Sequence, residues 1–95
     1  MPTKSKLERA VERRAESLND AQRELVLSQL SVYRRNMARL ARVESELDAA
    51  NSRQARSLDE VRAKQSLRAT LSHEVNQLAT ANSRIAAELN EFLKE

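Results

Sequence analysis

The chain has no glycine and no cysteine, and its single proline is Pro2. Glycine provides the positive-φ positions that tight turns and phosphate-cradling loops use. Its absence argues against P-loops, dinucleotide-binding turns, nucleophile elbows and two-residue β-hairpin turns. The absence of cysteine excludes a disulfide framework and a thiolate metal site. Aromatics are confined to Tyr33 and Phe92. No apolar run approaches the ~20 residues of a membrane span. The opening Met1-Pro2-Thr3-Lys4 lacks the apolar core of a secretory signal. The expectation is a cytoplasmic protein with no membrane contact.

What is present is helix-forming. Charged residues make up 33% of the 95 residues, and the apolar content is mostly Leu, Val and Ala. This is the composition of coiled coils and bundles. The length suits one small domain, residues 1–95, with too few residues for a large private core. Net charge is +3, unevenly placed: residues 1–56 carry 12 Lys/Arg against 8 Asp/Glu, and residues 57–95 carry 5 against 6. The positive half suits nucleic acid, an acidic protein surface or a second copy.

Three capping signals divide the chain. Ser5 with Glu8 three residues on reads as a capping box. Asn19 with Gln22 offers a second start, and Asp20 suits a positive helix N-terminus. Ser57-Leu58-Asp59-Glu60 is the third. They predict helix 1 over about 5–17, helix 2 over about 20–51 and helix 3 over about 57–93. The connector Asn51-Ser52-Arg53-Gln54-Ala55-Arg56 has no aliphatic anchor, yet nothing in it forbids continued helix. A bend and one unbroken helix both stand open.

Within helix 2, Val26, Leu30, Tyr33, Met37 and Leu40 alternate steps of four and three, which is a heptad seam. Val43 then follows after three residues where four were due, a skip that overwinds a coiled coil or swings its seam to another neighbour. Leu47 and Ala50 resume the pattern. In helix 3, Leu71, Val75, Leu78, Asn82, Ile85, Leu89 and Phe92 alternate without a break. Farther back Arg68 and Lys64 fall on that seam, and Val61 and Leu58 resume apolar contact near the cap. Asn82 is either a solvated residue at the seam edge or a buried polar group that fixes register and partner number. Helix 1, with Leu7, Val11 and Leu18 on one side, is marginal alone and must dock or fray.

These stripes predict an all-α fold: a long antiparallel helical hairpin, coiled-coil-like, with a short N-terminal helix. Leu25, Leu27, Val32, Leu67 and Leu93 lie off the main seams and call for a second apolar contact. Helix 1 or a second copy supplies it, and a small core favours self-association into a helical bundle.

No catalytic constellation is visible. His73 is the only histidine and has no cysteine or clustered carboxylates around it. Glu44, Glu46 and Asp48 read as a solvated acidic run. The serines have no histidine placed to activate them. No cofactor and no metal are expected.

The most suggestive feature is basic. Arg34, Arg35, Arg39 and Arg42 stand with no acidic residue between Glu24 and Glu44, and Arg35, Arg39 and Arg42 share a helix face. Arg53, Arg56, Arg62, Lys64 and Arg68 cluster around the expected bend. Either these cations track phosphates or an acidic partner, or they pair with carboxylates of neighbouring helices. No aromatic platform accompanies them.

From Leu18 onward the layout resembles the terminase small subunits, small helical phage-packaging proteins. The likeness lies in a Leu-rich helix with a Tyr and basic residues (Leu30-Ser31-Val32-Tyr33-Arg34-Arg35-Asn36), a polar connector, and a second helix ending in leucines (Ala86-Ala87-Glu88-Leu89-Asn90-Glu91-Phe92-Leu93). It is a pattern rather than a motif, and it assigns no site residue. The chain departs by having no Gly or Pro in the connector, no Pro near its C-terminus and no separate DNA-binding domain. The resemblance implies a ring-forming, DNA-associated oligomer without catalysis, in a phage-infected or prophage-carrying host. Two functions are therefore expected: a non-enzymatic module that self-associates and docks on a larger protein, or a nucleic-acid-binding oligomer. Other small phage or plasmid proteins, secretion chaperones and enzyme inhibitors share this layout.

Overall fold

A computed structural model describes residues 4–95. Its three helices are α1 (Lys6–Ala15), α2 (Asp20–Ser52) and α3 (Leu58–Lys94). Each starts at the capping residue read from the sequence. The Ser5 hydroxyl accepts from the Glu8 amide at 3.2 Å, the Asn19 side-chain oxygen from Gln22 at 2.9 Å, and the Ser57 hydroxyl from Glu60 at 3.1 Å. Each bond satisfies one of the amides left free in a first helical turn, about 1 kcal/mol per cap. The reciprocal half of the first capping box is not made. The Glu8 carboxylate turns instead to Arg34 on α2.

The chain reverses twice without glycine, because neither reversal uses a positive φ. After α1, Glu16 stays right-handed helical and Asn19 is extended, at φ −69° and ψ 167°. After α2, Arg53 and Ser57 are both extended. The connector is therefore a bend. No basic residue stands in the last turn of α2. Lys64 of α3 reaches back to supply one, donating from Nζ to the carbonyls of Asn51 (3.2 Å) and Arg53 (2.7 Å). A cation at a helix C-terminus satisfies free carbonyls and complements the helix dipole. The seam lysine thus has a structural role at the end of the neighbouring helix.

The long helices form an antiparallel hairpin, with Gln29 donating to Glu88, Asn82 to the Tyr33 carbonyl and Arg39 to Glu74. The molecule is a rod of 60 × 24 × 19 Å. Its core has two parts. Where α1 lies against the open end of the hairpin, Val11, Val26, Leu30 and Leu89 are buried, with Leu7, Leu18, Tyr33, Ile85, Phe92 and Leu93 packed around them. Toward the bend only two helices meet, around Val43, Ala50 and Leu71, with Leu47, Val75 and Leu78.

The α3 seam runs as the spacing predicted from Leu71 to Phe92. The α2 seam does not run straight. Met37 is 44% exposed and Leu40 only half-buried, whereas Val43 is buried. Two successive three-residue steps fall short of a full helical turn, so the buried stripe rotates around the helix there. Met37 is left one turn beyond Arg34, where α1 begins. Val61 and Leu58 also depart from expectation. Both are exposed, because the polar connector gives them nothing to pack against.

Asn82 is buried, not solvated at the seam edge. Its Nδ2 donates to the Tyr33 carbonyl at 3.3 Å, and its Oδ1 has no hydrogen-bond partner. Its partner is thus a backbone group of the same chain. An orphaned buried acceptor carries its desolvation cost uncompensated. We expect Asn82→Leu to raise unfolding free energy by about 1 kcal/mol, read as a higher urea midpoint. A lower midpoint would mean that leucine overpacks the seam and that the amide fits its site.

Candidate interaction surface

The nine cations singled out from the sequence separate into two groups. Three are used inside the molecule. Arg34 forms a fork on α1, pairing with Glu8 at 3.0 Å and with Glu12. Arg39 pairs with Glu74 at 2.6 Å across the hairpin. Lys64 caps α2. The side chains of the other six, Arg35, Arg42, Arg53, Arg56, Arg62 and Arg68, are exposed and have no carboxylate partner among the described residues. The bend also holds an open recess of about 270 Å³ lined in part by Ala50, Ala63, Lys64 and Leu67. It gathers no set of catalytic groups. His73 and the Glu44, Glu46, Asp48 run are exposed. No cluster of three potential metal ligands exists among the described residues.

The seam residues also sort by position. Val26, Leu30, Leu71, Asn82 and Leu89 are buried, and Tyr33, Leu40, Val75, Leu78, Ile85 and Phe92 are half-buried. The off-seam positions divide further. Leu93 packs into the three-helix core and Val32 is half-buried, while Leu25, Leu27 and Leu67 remain exposed.

Two features escaped the sequence reading. Arg23 donates to the carbonyls of Ala15, Glu16 and Leu18 at 3.2–3.3 Å, which closes the C-terminus of α1 and fixes its turn. The second feature is the charge order on α1. Leu7, Val11 and Ala15 face the hairpin, and Glu8 and Glu12 lie on the flank that meets Arg34. The outward side carries Lys6, Arg9 and Arg13, all exposed, with the exposed Glu16 at its C-terminal end. In sequence the carboxylates alternate with these cations and hide the face. Only the neighbouring helix separates them.

The α1 clamp is electrostatically tuned. A hydrogen bond from Lys4 holds the Glu12 carboxyl below its ordinary value, partial burial opposes this, and Arg34 adds to the lowering. The Arg34 guanidinium is held above its ordinary value by Glu8 first and Glu12 second. A carboxyl whose pKa is lower in the folded state stabilises that state fully above its unfolded value, and loses this as pH falls through the folded value. Arg34 stays charged throughout. We therefore expect α1 to dock less firmly near pH 3 than at pH 7, seen as lower hydrogen-exchange protection in residues 8–15 once each rate is referred to the intrinsic rate at its pH. Equal protection at both pH values would rule out an ionic contribution from the clamp.

The fold and this surface define an all-helical hairpin braced at one end by a third helix, with free cations and exposed leucines along its length. Comparison with protein-family models, with curated proteins and with solved structures gives no match. Among the described residues, no helix is long and apolar enough to cross a membrane.

Proposed function

We propose that the chain is a non-enzymatic, cytoplasmic helical interaction module that self-associates into a larger bundle and docks on a larger protein. One observation carries the reading. Leu25, Leu27, Met37, Leu58, Val61 and Leu67 are 37–67% exposed on a rod only two or three helices thick. Exposed leucines scattered singly are ordinary. Six large apolar side chains exposed on so thin a molecule leave much of its apolar content for a partner to cover. Light scattering across a concentration series tests this. A mass that rises from 10.8 kDa to a fixed multiple supports it. A constant 10.8 kDa at millimolar chain overturns the self-associating part.

The free cations favour a second reading, a nucleic-acid-binding oligomer of the kind the terminase small subunits represent. Arg35 and Arg42 lie on one stripe of α2, and Arg53, Arg56, Arg62 and Arg68 lie near the bend. Anisotropy with a short labelled duplex separates the two readings. Phosphate contact gives affinity that falls with salt at a logarithmic slope of about −0.9 per phosphate neutralised. No retention at low salt removes this reading.

A further inference from the structure

We propose that the outward face of α1 is a docking surface for a second copy of this chain, which presents to it the carboxylates of α3. This rests on the self-association reading and names the surfaces that meet. Lys6, Arg9 and Arg13 lie opposite the half-buried Leu7 and the buried Val11 and Ala15, are exposed, and form no ion pair among the described residues. Their spacing is i, i+3, i+7, a single helical stripe. The end of α3 repeats that spacing in the opposite sign, in Glu88, Glu91 and Glu95, all exposed. At 1.5 Å per residue both stripes are about 10 Å long, so the charges fall in step when the two helices lie side by side.

None of the three cations pairs with any of the three carboxylates within the chain. Gln29 donates to Glu88 at 2.9 Å, and Lys94 lies 3.6 Å from Glu91 on the same helix. Exposed ion pairs are weak alone, and the α3 stripe has an apolar neighbour. Leu25, 67% exposed, stands one turn from Gln29, which holds Glu88. Leucines beside complementary charges give an apolar contact with an ionic rim, the anatomy of a protein interface. A nucleic acid backbone offers Leu25 no such partner and repels the α3 carboxylates. A lipid surface cannot take up the apolar side of α1, because Val11 and Ala15 are already buried.

The test uses the full chain and its charge-reversed variants, with circular dichroism confirming that each remains helical. Light scattering at low salt compares the natural chain, the variant Lys6→Glu/Arg9→Glu/Arg13→Glu, the variant Glu88→Lys/Glu91→Lys/Glu95→Lys, and an equimolar mixture of the two. Because Glu88 also accepts from Gln29, Glu91→Lys/Glu95→Lys is measured alongside. Each reversal is expected to weaken association on the order of a hundredfold, and the mixture to restore it. Variants that associate as the natural chain does, or a mixture that stays dissociated, overturn the proposal. Reversal of the α1 charges that leaves the mass unchanged and abolishes duplex retention also overturns it, and assigns the face to nucleic acid. A natural chain that is monomeric throughout removes the self-association reading itself. Association that ignores the charges removes only this assignment of surfaces.

Discussion

Replacing Leu30 by alanine is expected to lower unfolding free energy by about 3 kcal/mol. The side chain is 1% exposed and belongs to the cluster where α1, α2 and α3 meet. Its loss removes the transfer free energy of the deleted carbons. It also leaves a cavity that three helices, braced by the Arg34 and Arg23 contacts, cannot readily close. A chain of 95 residues holds roughly 5–14 kcal/mol in total, so the loss is a large fraction. Urea unfolding checks it: the midpoint falls while the slope holds. Leu27→Ala, measured at chain concentrations low enough that the protein is monomeric, is the matched control. Leu27 sits three residues earlier, is 38% exposed, and should change stability by no more than about 0.5 kcal/mol. Equal losses at the two positions would mean that the buried cluster is not what holds the three helices together.

Val11→Asp is expected to release α1 while the far half of the hairpin stays folded. Val11 is fully buried among Leu7, Leu18, Val26, Leu30 and Leu89. A carboxylate there has no cation in its cluster, and an unpaired buried charge costs several kcal/mol. The molecule has a cheaper response than holding it. α1 has only ten residues, too few to be a stable helix alone, and it joins the rest through one short turn. Local unfolding of that segment removes the charge from the core. The second cluster, around Val43, Ala50 and Leu71, makes no use of α1 and should persist. Limited trypsin digestion checks this at Arg13 and Arg14, where cleavage should accelerate on the order of a hundredfold, while mass spectrometry finds the fragment spanning α2 and α3 intact. Cleavage that spreads at once through both long helices would show instead that the rod unfolds as one unit.

Much of the local structure can be read without coordinates. Ser5, Asn19 and Ser57 each precede a residue three positions on that can close the first turn, and all three helices begin there. An Asx or Ser cap is decided within four residues. The α3 seam from Leu71 to Phe92 is also legible, because an unbroken four-three alternation places those side chains on one face whatever lies opposite. The three-residue step before Val43 marked where the α2 stripe turns, though not which residue the turn would expose.

Interactions local to the chain set the helices, their caps and the apolar stripe along each. Capping and periodicity act between residues close in the chain, so their outcome needs no knowledge of distant neighbours. Packing between the helices sets which charges are free and which apolar positions are covered. Arg34 is indistinguishable from Arg35 in sequence, yet one grips Glu8 and Glu12 while the other faces outward. Lys64 reads as a flaw in a seam until the open carbonyls of α2 arrive beside it. Lys6, Arg9 and Arg13 stand apart from Glu8 and Glu12 only once Arg34 has drawn those two carboxylates aside. Each of these outcomes depends on a group supplied by another helix, and a side chain's partner across a helix boundary is not written in the spacing of its own helix.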